Sequence, residues 1–298
     1  NSLVVTGDVD IAANGQVGTS SASGSNTFAS LTIASGGTYL ATSGTTTITG
    51  IESGASRSVL NSGTLTHNSG TFLFNGAMDQ KVSTNSTGRF NNITLNKSNN
   101  DFVFIDSSTT VEGNLDITMG DNTRQCRPSA TSGAITVTGD VIVREGILLR
   151  AANDCTGAMS FGGLNLESGS IYAATSATTT ITNRLTGESH LWKNDGGTFN
   201  HNNGTVKFND NDHSAVKENT FYNVEVESNL GDYAVSFEAQ GGGGNPFTIL
   251  NNLTITRGDF ELVNANDTCD IHGQTIINGS SNSGARFNND KNQTGTIT

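Results

Sequence analysis

Proline is almost absent from this chain of 298 residues, which carries 2. Proline brings no backbone donor, so such scarcity suits a chain whose amides are needed in sheet ladders. Charged residues are also few, at 14%. The formal net charge is −12, and Lys and Arg stand singly, as at Arg57, Lys81, Arg89 and Lys207, with no basic stripe. That field repels phosphate backbones and anionic lipid surfaces, which argues against nucleic acid as a partner. No apolar run reaches the roughly 18 residues that a membrane-spanning helix needs. The three cysteines, Cys126, Cys155 and Cys269, form no CxxC pair. A thiolate zinc site is thereby disfavoured. Trp192 is the only tryptophan, so the chain has little material for aromatic sugar platforms.

What the chain has is Gly, at 36 residues, with Asn about as common and Thr more so. Low charge with much Gly and Asn fits disorder in part. Disordered chains, however, combine high net charge with few β-branched residues. Here Thr, Val and Ile recur in short alternating runs, the pattern of β-strands with one buried face.

One short motif recurs: a small or polar pair, then hydrophobic, polar, hydrophobic. It occurs as Gly7-Asp8-Val9-Asp10-Ile11, Ala29-Ser30-Leu31-Thr32-Ile33, Asn91-Asn92-Ile93-Thr94-Leu95 and Gly113-Asn114-Leu115-Asp116-Ile117. It returns at Gly139-Asp140-Val141, Gly162-Gly163-Leu164, Tyr222-Asn223-Val224 and Asn251-Asn252-Leu253. Copies lie mostly about 22–30 residues apart or twice that, the period of solenoid rungs. A longer repeat overlies it. LTIASGGTYLATSGTTTIT, starting at Leu31, answers LNLESGSIYAATSATTTIT, starting at Leu164. GTLTHNSGTFLFN, starting at Gly63, answers GTFNHNNGTVKFN, starting at Gly197. The offset is about 133 residues, so two superrepeats of five or six rungs each are expected.

These patterns predict an all-β chain: a single continuous β-solenoid, or parallel β-helix, over residues 1–298 with roughly 12 rungs. Superrepeat 1 covers about residues 4–135, superrepeat 2 about 136–270, and partial further rungs occupy 271–298. Strands put aliphatic residues inward and Thr outward, while Gly and Asn turn the corners cheaply. Asn75-Gly76 and Asn203-Gly204 are such corners, and both prolines, Pro128 and Pro246, fall in loop-like stretches. At about 4.8 Å per rung the rod would be near 60 Å long. Cys126 and Cys155 lie about one rung apart, where a disulfide would join neighbouring rungs; small buried thiols are the competing reading. The chain begins at Asn1 and ends within the repeating pattern, so a piece of a longer rod is expected, with adjoining domains or other copies of itself as partners.

Chemistry-bearing residues are few. Parallel β-helices host polysaccharide-degrading enzymes, and hydrolysis of a glycosidic bond needs two carboxyl groups across a cleft. The candidates are Asp210 with Asp212, and Asp101 with Asp106; solvated turn residues are the competing and favoured reading. Asp121-Asn122 and Asp210-Asn211-Asp212 offer oxygen ligands for calcium, yet neither matches a known calcium loop. His67 and His201 occupy equivalent superrepeat positions with no Cys or Glu near them in sequence, which reads as a corner histidine bonding the backbone. Gly241, Gly242, Gly243 and Gly244 lack the Lys-Ser/Thr of a phosphate loop. The sequons at Asn85, Asn92 and Asn252 are what chance gives in so Asn- and Thr-rich a chain. No catalytic or metal-binding residue and no cofactor is expected, calcium being the one open alternative.

The superrepeat segments SLTIASGGTYLATSGTTTITG, GTFNHNNGTVKFN and TFYNVEV resemble repeats in large surface proteins of marine bacteria. They are also similar to fibre and other structural proteins of marine bacteriophages. The resemblance implies an extended rod exposed outside a cell or on a virion, and it carries no catalytic residues across. The expected function is a non-enzymatic, extracellular structural or adhesive rod, foremost a virion fibre or spike touching a host-surface glycan or protein. The alternatives are a bacterial surface adhesin or filament subunit, and a polysaccharide-degrading β-helix enzyme.

Overall fold

The computed structural model describes residues 2–19, 21–84, 89–149, 154–210, 212–228, 234–238, 246–262, 268–278 and 285–288. Among them every regular element is a strand, and every strand-to-strand pairing is parallel. Short strands follow one another round a coil, and each pairs with the strand one turn away. The result is a β-solenoid of about 10 turns, close to the roughly 12 expected.

Three stacks of strands form its sides. The first climbs from Leu3–Val4 through Asn26–Phe28, Thr45–Ile48, Thr71–Phe74 and Asn92–Asn96 to Leu115–Thr118 and beyond. The second climbs from Asp8–Ile11 through Ser30–Ile33, Val59–Asn61 and Gln80–Ser83 to Phe102–Phe104. The third opens with Gln16–Val17, Thr38–Leu40 and Thr64–Thr66, and continues higher with Ser108–Val111, Ala134–Val137 and Met159–Phe161.

The recurring motif has a direct physical basis. Its polar residue begins a strand, and its side-chain oxygen accepts an amide from the rung above. Asn92 Oδ1 accepts Asn114 N–H at 2.9 Å, and Asn114 Oδ1 accepts Asp140 N–H at 2.9 Å. The second superrepeat does the same: Asn223 Oδ1 accepts Asn252 N–H at 3.2 Å, and Asn252 Oδ1 accepts Gln274 N–H at 2.9 Å. The ladder also explains the glycine ahead of the motif. A Cβ on Gly113 would lie 2.2 Å from Asn92 Oδ1, and one on Gly139 would lie 2.2 Å from Asn114 Oδ1. Asn92 and Asn252, two of the sequons, are therefore ladder residues; Asn85 lies outside the described residues.

Apolar side chains fill the bore. Aromatic rings touch edge to face in both copies: Phe28 with Tyr39 and Phe161 with Tyr172, each pair with centroids 5.9 Å apart. Tyr39 and Tyr172 are buried, and each hydroxyl bonds the inward-facing threonine seven residues on, Thr46 at 3.0 Å and Thr179 at 2.7 Å. Not every threonine of the TTT runs therefore faces water. Between the two aromatic columns, Met119, Cys126, Cys155 and Met159 fill the bore, all of them buried. No disulfide joins Cys126 and Cys155. The thiol of Cys126 stacks in a column between Phe102 and Leu148. Cys155 turns a different corner, next to Thr131 on one rung and Ser176 on the other. Cys126, Cys155 and Cys269 are buried thiols, and burial pushes the Cys126 thiol up. Both prolines sit on strands rather than in loops: Pro128 ends Gln125–Pro128 and Pro246 opens Pro246–Ile249.

The superrepeat is not a whole number of turns. Leu31 lies on the second stack, and the column above it runs through Val59, Val82 and the strands Phe102–Phe104, Gln125–Pro128 and Val141–Leu149 to Ser170–Ala173, six turns up. Its counterpart Leu164 stands on the strand before that one, on the first stack. One superrepeat thus spans about five and two-thirds turns, and each feature reappears one side short of where it began.

The glycine ladder can be tested by thermal unfolding. Gly139→Ala should destabilise the rod by about 1–3 kcal/mol through overpacking against Asn114. Gly7→Ala, where a Cβ meets nothing within 4 Å, should stay within about 0.5 kcal/mol.

Candidate functional site

Most corners are turned in a few residues; Ala29 alone joins Asn26–Phe28 to Ser30–Ile33. One of the longer corners recurs at the same place in both superrepeats. Residues 49–58 project between Thr45–Ile48 and Val59–Asn61, and residues 182–189 project between Thr178–Ile181 and His190–Asp195. Insertions of this kind in a solenoid map to its binding edges. The two loops fold alike. Glu52 N–H donates to Arg57 O at 2.7 Å, as Leu185 N–H donates to His190 O at 2.8 Å. Gly54 and Gly187 take the left-handed conformation, with φ of 79° and 80°. Each loop is fastened by a carboxylate from two turns away: Asp8 Oδ2 accepts Ser53 N–H at 3.0 Å, and Asp140 Oδ2 accepts Thr186 N–H at 3.1 Å.

Beside each loop lies an open cleft. The first, about 350 Å³, is lined by Ile51, Ala77, Met78, Asp79, Lys81 and Asn100, among others. The second, about 540 Å³, is lined by Asn183, Arg184, Thr186, Glu188, Asp210 and Asp212, with Leu185 and Gly187. Ile51 corresponds to Arg184 in the superrepeat, and Met78 to Asp212. Met78 is 49% exposed, unusual for so large an apolar side chain.

Buried polar groups pin the corner under each cleft. Lys97 is 1% exposed, and its ammonium donates to Gly76 O at 2.9 Å, Met78 O at 3.0 Å and Gln80 Oε1 at 2.9 Å. Gln80 Nε2 in turn donates to Ile48 O at 3.1 Å and Gly50 O at 3.2 Å. Burial lowers the Lys97 pKa to about 8, against the raising effect of Asp79 and Asp101. In the second copy Ser228 takes the place of Lys97, and its hydroxyl donates to Asp210 O at 3.0 Å. The Asp210 carboxylate accepts from Ser214 Oγ.

Of the carboxylates singled out in the sequence, Asp210 and Asp212 do share a cleft. Asp210 is 3% exposed and so is no solvated turn residue. Asp212 is paired with Arg184 and also accepts His213 N–H at 2.8 Å. Asp101 and Asp106 flank the strand Phe102–Phe104 at its two ends, and each is engaged separately. Asp101 accepts Gln125 N–H at 3.0 Å, and Asp106 accepts Ser83 Oγ–H at 2.8 Å. Asp121 closes a local turn by accepting Thr123 N–H at 2.7 Å. Among the described residues no group of three or more His, Cys, Asp or Glu could hold a metal ion. Asn211 and the four glycines 241–244 lie outside the described residues.

His67 and His201 each accept a backbone amide at Nδ1, from Ser69 at 3.0 Å and Asn203 at 3.1 Å. A glutamate does accompany the first, contrary to its sequence neighbourhood: Glu112, from two turns away, bonds His67 Nε2 at 2.9 Å and pairs with Arg89 at 3.0 Å. Arg89 first, then His67, holds the Glu112 carboxyl below the usual range. His201 stacks instead on Tyr222, centroids 5.5 Å apart. Trp192 is fully buried against Phe199 and Phe221, so it is a core residue and no sugar platform. Sequence reasoning missed the two loops and Arg184, Met78 and Lys97. The available signal was the long interval between strand motifs, which marks both corners. The chain matches no protein-family model, no curated protein and no solved structure.

Two outcomes follow. Folded Lys97 gives up its proton near pH 8, whereas an unfolded lysine keeps it to about 10.4. Between those values the unfolded chain binds more protons, so stability rises with pH. Urea midpoints of the wild type relative to Lys97→Met should therefore increase from pH 8 to 10. Removing a charged acceptor costs roughly 1.5–3 kcal/mol. Asp140→Ala should accordingly speed amide exchange at Thr186 about tenfold or more, with the neighbouring rungs unchanged.

Proposed function

We propose that the protein is a non-enzymatic, extracellular structural and adhesive rod, foremost a fibre or spike component of a virion, that holds small recognition loops on a stiff shaft. The observation that carries this reading is the duplication of the projecting corner together with its carboxylate fastening. Asp8 with Ser53 and Asp140 with Thr186 preserve the loop's position in both copies. Loops carry binding more often than regular strands do, and a rigid scaffold positions them.

The carboxylates also favour this reading over glycoside cleavage. A general acid needs a raised pKa and an open path to its substrate. Burial pushes the Glu218 carboxyl up, but its side chain is 5% exposed and bonds Asn194 Nδ2 at 2.9 Å. The carboxylates that line the second cleft are tied to Arg184, Ser214 and Lys193.

Three measurements check the proposal. Electron microscopy of the purified protein should show straight rods about 50 Å or more in length, at about 4.8 Å per turn. Incubation with polysaccharides should release no reducing ends or unsaturated products; steady release would replace the rod reading with an enzymatic one. Antibody labelling should find the protein on virions or cell surfaces.

A further inference from the structure

The two corner loops share a backbone but differ in chemistry at the cleft. The first copy has Gly50, Ile51, Ala55, Gly76 and Met78. At the corresponding positions the second has Asn183, Arg184, Glu188, Asp210 and Asp212. All five changes run from apolar or glycine to a hydrogen-bonding side chain. The core under the same loops did not change in this way: Ile48 and Ile181, Phe74 and Phe208, and Tyr39 and Tyr172 are identical and buried. The exchange is specific to these five positions: the first cleft keeps Ser56, Asp79, Lys81 and Asn100 in its lining, and Glu52 corresponds to Leu185 in the second.

We propose that the second cleft is a carbohydrate subsite that takes a neutral, polyhydroxylated sugar unit, a ligand class that rests on the adhesive reading above. Arg184 is 39% exposed and spends one amino group on Asp212, itself 47% exposed. The remaining guanidinium donors, with the lone pairs left on the two Asp212 oxygens that already accept from Arg184 and His213 N–H, form a fixed donor–acceptor pair at the cleft. Vicinal hydroxyls, each both donor and acceptor, match such a pair. Asn183 and Thr186 add a carboxamide and a hydroxyl to the lining. A cleft of about 540 Å³ accommodates one or two sugar rings.

Other ligand classes fit less well. Three carboxylates, Glu188, Asp210 and Asp212, line the cleft against two cations, Arg184 and the Lys193 that pairs with Glu188, so the net negative field disfavours phosphate, sulfate and sialic acid. A protein hot spot would want an aromatic or aliphatic anchor pocket. Leu185 is the one large apolar residue in the lining, and it is 5% exposed.

The first copy supplies a test that keeps the fold. Arg184→Ile with Asp212→Met gives the second cleft the pair its counterpart already carries on the same backbone. The full chain should bind a subset of immobilised neutral oligosaccharides of hexose, N-acetylhexosamine and deoxyhexose units, with little loss in 0.5 M salt. The double variant should lose at least about tenfold in affinity while its far-ultraviolet spectrum and melting curve persist, since hydrogen bonds to charged groups are among the strongest a site can make. Ile51→Ala with Met78→Ala, in the first cleft, should bind as the wild type does. The proposal is overturned if no neutral oligosaccharide binds, if sialylated or sulfated chains bind in preference, or if the double variant binds unchanged. Failure of the rod reading would look different: release of sugar products alongside neutral-sugar binding would keep this subsite and remove the non-enzymatic role.

Discussion

Every level of this molecule depends on the parallel backbone ladder between turns. In-register parallel pairing places each residue directly beneath its counterpart on the next rung, with strands about 4.8 Å apart. A side chain must therefore suit its own site and also the residues one rung up and one rung down. Columns of like residues follow. Phenylalanines stack on phenylalanines, as Phe260 does on Phe287 at 5.0 Å. Asparagine oxygens receive amides from the next asparagine's backbone, and glycine appears where that carboxamide needs the space. Proline, which breaks the ladder, is confined to the last residue of one strand and the first residue of another.

Charge obeys the same rule on the outside. Arg144 lies one rung from Asp116 and one from Glu167, and bonds them at 2.9 and 2.5 Å. Lys217 reaches Asp195 at 2.7 Å in the same stack. Each such exposed pair contributes little alone, typically ~0.2–1 kcal/mol. Along a rod they tie each rung to the next, and they do so in a stack where like charges also sit in register, Glu167 on Asp195 and Lys193 on Lys217. A chain with few charges uses them across rungs more than along strands.

The sequence made the fold legible because ladder columns write themselves as repeats. The motif Gly/Asn–Asn/Asp–hydrophobic marked strand starts correctly, and the Leu31 and Leu164 segments occupy the same local structure. What stayed hidden involves neighbours across turns. Glu112 is 45 residues from His67, so nothing local announced their bond. Asp210 reads as a corner residue, and its burial depends on Ser214 and Ser228. Cys126 and Cys155 are spaced like stacked residues, but rungs differ in length, so equal spacing did not mean equal position. The clefts were illegible for the same reason, since each joins a loop on one rung to a corner on the next.

The fractional superrepeat has a consequence for how such a molecule can change length. A segment that serves on the second stack in one copy serves on the first stack in the next, with the same buried leucine and the same tyrosine–threonine bond. The three sides are therefore interchangeable hosts, and none is reserved for a particular segment. A duplicated stretch of coding sequence need not begin and end at the same corner to be accommodated. It must only join strand to strand in the right inside–outside phase. Growth by arbitrary numbers of strands is then open to the lineage, and each addition turns its ornaments to a new compass bearing around the axis.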